Sequence, residues 1–165
     1  MTYLPLCLIT LSCCAGADRA HALGLRYGRD RCSVEVEPVD DRKLLIRLRS
    51  NGVSGLPVEA HLTLIPRMDK PFAAERLTEQ KLRAEPINLT PEQAGGWISH
   101  NGWRLSLPDD ARVDWPALPH NPYRKDGAAR PEEGRIVVSV PMHVPSSAEG
   151  PSGVSEQVLT LSIED

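Results

Sequence analysis

The sequence predicts a mainly β protein: an antiparallel β-sandwich of Ig-like or jelly-roll type, with about seven to nine short strands. Three observations carry that expectation. Fourteen of the 15 prolines fall after residue 22 and interrupt the chain too often for long helices. Between them, apolar and polar residues alternate in short runs, the pattern of strands buried on one face. Asn101-Gly102 sits between two such runs and is the dipeptide most suited to a two-residue hairpin turn.

The first run, 32–37, alternates Cys32, Val34 and Val36 with Ser33, Glu35 and Glu37. Residues 38–42 turn the chain into 43–50, where Leu44, Ile46 and Leu48 share a face, and Asn51-Gly52 begins the next turn. In 57–66, Val58, Ala60, Leu62 and Leu64 oppose Glu59, His61 and Thr63. Further strands are expected at 97–99, 103–107, 112–115, 135–144 and 157–164. The segment 69–85 reads as either helix or strand. Its Ala, Glu, Arg and Leu content and a Glu79–Arg83 spacing of four suit a helix, but Phe72, Leu77 and Leu82 are five apart and form no helical stripe. Thr90-Pro91-Glu92-Gln93 has the form of a capping box with proline at the first helical position, and Gly95-Gly96 ends that one short helix. Residues 145–156, rich in Ser, Gly and Pro, read as a flexible loop.

A turn at Asn101-Gly102 fixes a register. His100 pairs with Trp103, Ser99 with Arg104, Ile98 with Leu105, and Trp97 with Ser106. Ile98, His100, Trp103, Leu105 and Leu107 then share the core face, and Trp97 shares the other face with Ser99, Arg104 and Ser106.

Residues 1–22 have the layout of a cleaved export signal: an apolar run at 4–11, then small residues ending in Ala20-His21-Ala22. The apolar run is too short to span a bilayer, which takes roughly 20 apolar residues. No Lys or Arg stands at the basic start of such a signal. Two rival readings stand beside it. One is lipid attachment at Cys13 or Cys14; the other is that Met1 is internal to a longer protein. Without residues 1–22, 143 of the 165 residues remain, enough for a single β-sandwich domain over 23–165. Its net charge of −3 is unchanged, because Asp18 and Arg19 cancel within the leader. That balance lacks the basic footprint of a nucleic-acid binder, and membrane association is expected only with a lipid anchor. Of the four cysteines only Cys32 lies beyond the leader, so no internal disulfide is expected. On the Val34/Val36 face Cys32 reads as a small buried hydrophobe, with a reactive thiol or an intermolecular bridge as the alternatives.

No sequence signature of catalysis is present: no Gly-x-Ser-x-Gly, no His-Glu-x-x-His, no phosphate-binding glycine loop and no Cys-x-x-Cys. No cofactor and no metal is implied; His100, His120 and Asp126 have no regular ligand spacing. Asp40-Asp41, Asp109-Asp110 and Glu132-Glu133 read as turn residues, and His61 as a surface residue. Asn88-Leu89-Thr90 matches a glycosylation acceptor. Residues 97–126 concentrate Trp97, Trp103, Trp115, Tyr123, His100 and His120, with Arg124, Lys125 and Asp126 alongside. Pro116, Pro119 and Pro122 stiffen a stretch that presents these groups.

The expectation is therefore an exported, non-catalytic binding or accessory module of the cell envelope or secreted space. Trp97, His120, Tyr123 and Arg124 are the ligand-contacting candidates, and a carbohydrate or peptide is the ligand class. Trp97 has a structural alternative, a cation–π contact with Arg104. A second expectation is a small hydrolase or lyase with His120 as base and Tyr123 or Arg124 stabilising charge. A third is the C-terminal β-domain of a longer enzyme, and a fourth is a subunit that joins partners through strand edges.

Overall fold

Alternation along the chain builds two antiparallel sheets in a sandwich-like arrangement. The structure is a computed structural model that describes residues 21–27, 30–51, 58–117, 130–142 and 154–164. In chain order the strands are β1 (His21–Tyr27), β2 (Asp30–Asp40), β3 (Lys43–Ser50), β4 (Val58–Leu64), β5 (Pro71–Ala74), β6 (Leu77–Lys81) and β7 (Ile87–Leu89). A four-residue helix α1 (Pro91–Ala94) leads to β8 (Trp97–His100), β9 (Trp103–Ser106) and β10 (Arg112–Ala117). A 3-10 turn (Pro131–Glu133) precedes β11 (Arg135–Met142) and β12 (Ser155–Ile163). The large sheet has the order β1-β2-β3-β12-β9-β8-β5-β6, and the small sheet β4-β11-β10-β7.

The expected strands are present, and the β8–β9 hairpin has the expected register from His100↔Trp103 to Trp97↔Ser106. Asn101 (φ 47°) and Gly102 (φ 83°) both take the left-handed backbone that a type I′ turn requires. The capping box forms as well: the Thr90 amide donates to Gln93 Oε1 at 3.0 Å. The helix stops at Gly95 (φ 70°), where a Cβ would run into Glu75.

Other expectations need correction. The described residues hold twelve strands, more than the seven to nine expected. Part of the excess is the segment 69–85, which is a strand pair. Phe72 and Ala74 of β5 are buried because β5 pairs with β8, so sheet pairing overrides the helical composition. The loop expected at 145–156 ends earlier, since β12 starts at Ser155, which is buried beside Ser50. β1 crosses the expected leader boundary: His21 and Ala22 pair with Val36 and Glu35.

One core lies between the sheets, with Phe72, Ile98, Leu105, Leu159, Val113, Trp115, Ile136, Val138 and Val140 fully enclosed. The sheets are unequal, eight strands against four. At one side the small sheet is tied to the β5–β6 pair. Trp115 of β10 donates to the carbonyl of Arg83, and Arg76 donates to the carbonyl of Glu92 in α1. β11 approaches β12 near the middle. Among the described residues β4 and β1 are terminal strands of their sheets.

Burial falls off towards both terminal strands. Along one row of the large sheet Leu48, Val34 and Leu23 are aligned by pairing, and their exposure rises from 6% to 9% to 49%. In the small sheet the inward residues of β11 are buried. Their partners Val58, Ala60 and Leu64 on β4 are only partly so. On the outer face of the large sheet a charged ladder joins Glu37–Arg47 (3.4 Å), Arg47–Glu156 (4.0 Å), Arg49–Glu156 (2.5 Å) and Arg49–Glu35 (3.7 Å).

Candidate binding surface

The aromatic residues are used mainly to hold the fold. Trp115 is buried, and its indole N–H donates to the carbonyl of Arg83 at 2.6 Å. Trp103 packs partly buried against the core and meets His100 edge-on, ring centroids 5.7 Å apart. Trp97 lies on the outer face under Arg104, whose guanidinium carbon is 4.3 Å from the ring centroid. Glu164 pairs with the same guanidinium at 2.8 Å. Trp97 therefore has a partner over its face, the cation–π arrangement anticipated as its structural alternative.

His120, Tyr123 and Arg124 lie outside the described residues, as do Asp126, Cys13 and Cys14. The convergence of Trp97 with the first three, and the catalytic role for His120, thus fall on residues without described positions. Among the described residues no three His, Cys, Asp or Glu side chains gather as metal ligands.

His100 is a buried histidine with both ring nitrogens occupied. Nδ1 lies 2.8 Å from the Pro71 carbonyl, and Nε2 lies 2.9 Å from the Arg67 amide. An amide N–H only donates, so Nε2 accepts and Nδ1–H donates to Pro71. Burial pushes the pKa of His100 below its ordinary value, and the Pro71 carbonyl opposes that in part. The ring is a neutral brace between β8 and the chain entering β5.

His61, expected as a surface residue, has a partner there. Its Nε2 is 3.1 Å from Glu59, and Glu59 also pairs with Arg112 of β10. Ser139 of β11 lies opposite both His61 and Arg112 in the register, but it is only 3% exposed. A serine so enclosed is closed to substrate, and the group serves to tie β4, β11 and β10 on the outer face. Cys32 is half-buried, with its Sγ 3.5 Å from Ser50 Oγ, and is a free thiol. Asn88 of the glycosylation motif is exposed on β7.

What the structure adds is a difference between its strand edges. β7 is three residues long, and β6 carries Glu79 and Lys81 with four of its five residues exposed. Short or charged edges of this kind resist further pairing. The opposite edges, β4 and β1, are seven residues each and end their sheets without a neighbour among the described residues. β1 carries one charged residue, Arg26, and β4 one carboxylate, Glu59. A concavity of about 450 Å³ opens at the end of this side, lined by Leu25, Cys32, Ser50 and Val154 among others. Sequence reasoning missed this surface because alternation identifies strands but not which of them are terminal.

Compared with known proteins, the chain matches no family model and no curated protein. Among the described residues no helix is long and apolar enough to cross a membrane.

Proposed function

We propose that the protein is an exported, non-catalytic β-sandwich module that binds an extended peptide segment along β4. The observation that supports this reading is a seven-residue strand that ends its sheet among the described residues, together with the exposed Leu23. A strand added to β4 would continue the small sheet over β2 and β1, and its inward side chains would cover Leu23 and the half-buried Leu25. The ligand is then a segment of about seven residues with apolar groups at alternate positions, the period of a strand. Backbone hydrogen bonds would supply affinity, and the Val58–Ala60–Leu64 side would select the apolar positions. The peptide arm of the carbohydrate-or-peptide expectation is retained, because an edge recognises a backbone and Trp97 is already covered by Arg104.

The test is an array of seven-residue peptides with alternating apolar and polar positions, followed by amide hydrogen exchange with the strongest binder. Slowed exchange within β4 is the expected result. Binding without any protection in β4, or no peptide retained above scrambled controls, overturns the reading.

A further inference from the structure

We propose that His100 and the connection between β4 and β5 form a proton-operated latch. Protonation of the imidazole releases residues 65–68 from the body of the protein while both sheets stay assembled. The latch does not rest on peptide binding at β4.

The two nitrogens of His100 respond unequally to a proton. In the neutral ring Nδ1–H donates to the Pro71 carbonyl at 2.8 Å, and Nε2 accepts from the Arg67 amide at 2.9 Å. In the imidazolium both nitrogens are donors. The bond to Pro71 survives, and the charge strengthens it. The bond to Arg67 cannot survive, because two N–H groups then point at each other. Protonation therefore breaks one contact of the ring, the one that reaches the connection. Phe72 and Trp103 keep the imidazole packed from other sides, with ring centroids 6.4 and 5.7 Å away.

Both ends of the connection are pinned independently of His100. At the far end the Asp69 amide donates to the Leu82 carbonyl at 2.8 Å, and the Leu82 amide to the Lys70 carbonyl at 2.9 Å. At the near end the chain continues from Leu64 of β4. Between these pins the bond of Arg67 to His100 and the packing of Met68 on the core hold the chain. Ile65 and Arg67 are exposed, so one layer of chain separates Nε2 from water. Lifting that layer lets water hydrate the imidazolium and removes the burial that keeps the closed ring neutral. No neighbouring charge offers that compensation in the closed form. The charged side chains on the surrounding elements are Arg67, Asp69 and Lys70 of the connection, Lys81 opposite Pro71 on β6, and Arg104 and Glu164 on the outer face. Among the described residues none of them forms an ion pair with His100, and Arg104 and Glu164 pair with each other. Opening residues 65–68 gives up little apolar contact, which places it among the low-cost local openings of a fold.

The test is residue-resolved amide hydrogen exchange on the full chain, corrected for intrinsic rates. The open form takes up its proton near the ordinary histidine value of about 6.5, so the ratio of open to closed rises by up to about tenfold per pH unit below it. The Arg67 amide should therefore lose about tenfold or more of its protection between pH 7.5 and 5. Because the opening exposes little surface, exchange at Arg67 should not respond to low urea. The enclosed amides of Leu105 and Val138 should respond, since they exchange through larger unfolding. In His100→Gln, whose side chain does not titrate, the pH response at Arg67 should vanish. Unchanged protection of Arg67 down to pH 5 overturns the latch, as does a urea response at Arg67 equal to that at Leu105. A full pH response retained in His100→Gln does the same. The first two readouts use the wild-type chain and stand even if His100→Gln fails to fold. No peptide enters any of them, so failure of the β4 reading leaves them unchanged.

Discussion

Trp115 and Arg83 are joined by a hydrogen bond of 2.6 Å from the indole N–H to the backbone carbonyl. The bond links the centre of the small sheet to the chain leaving β6, so a single side chain both fills the core and ties the small sheet to that chain.

Trp115→Phe should separate these two roles. Phenylalanine retains most of the packing but leaves the Arg83 carbonyl without its donor. A cost of about 1–3 kcal/mol is expected for that loss. Trp115→Ala also leaves a cavity and should cost about 3–5 kcal/mol. Urea unfolding measures both, and equal losses in the two variants would show that the hydrogen bond contributes nothing separate.

His100 predicts a pH dependence of stability. The folded protein holds it neutral, since its Nε2 accepts from Arg67 and burial lowers its pKa. The unfolded chain takes up a proton near pH 6.5. Below that pH the unfolded state binds more protons than the folded state, so protonation favours unfolding. The contribution of His100 is therefore complete above about pH 6.5 and is lost as the pH falls towards and through the lowered folded value. Melting curves between pH 7.5 and 5 should show a decline in wild type. His100→Gln should be less stable at pH 7.5 but flatter across that window; an unchanged slope would remove His100 as its source.

How much of this was legible in the sequence depends on the range of the interaction. The β8–β9 register and the α1 capping box rest on contacts a few residues apart, and Asn101-Gly102 and Thr90-x-x-Gln93 specify them locally. β5 was not decidable in the same way: Pro71-Phe72-Ala73-Ala74 has little strand character and is a strand because β8 lies beside it. The candidate surface was the least legible. β4 and β1 are edges among the described residues because no second described strand pairs with either. Contacts such as Arg49–Glu156, 107 residues apart, leave no local trace. The clustering of tryptophans pointed to a ligand, yet burial of Trp115 and the contact of Arg104 with Trp97 account for two of the three.

Arg104 should protect Trp97 from solvent. Arg104→Ala removes a cation–π contact and an ion pair that are both partly exposed, so the stability loss should stay near about 0.5–1 kcal/mol. Acrylamide should quench the variant's tryptophan fluorescence more strongly than that of wild type. Trp97→Ala should leave peptide retention intact if β4 is the binding edge, and loss of retention in a folded Trp97→Ala protein would return the ligand to the outer face.

β1 bears on where an export leader would be cut. A cut after Ala22 would remove two of the seven residues of β1 and leave Leu23 as the new terminus, carrying an ammonium group beside Val34. Ala15-Gly16-Ala17 offers another small-x-small box, four residues upstream of the strand. Cleavage after Ala17 keeps β1 whole, with Ala22 paired to Glu35. Intact-mass analysis of the protein purified from its native host should therefore give a chain beginning at Asp18. A chain beginning at Leu23 would shorten β1 to five residues and should be less stable to urea than one beginning at Asp18. A mass carrying a lipid on Cys13 or Cys14 would instead place the module on a membrane surface with β1 intact.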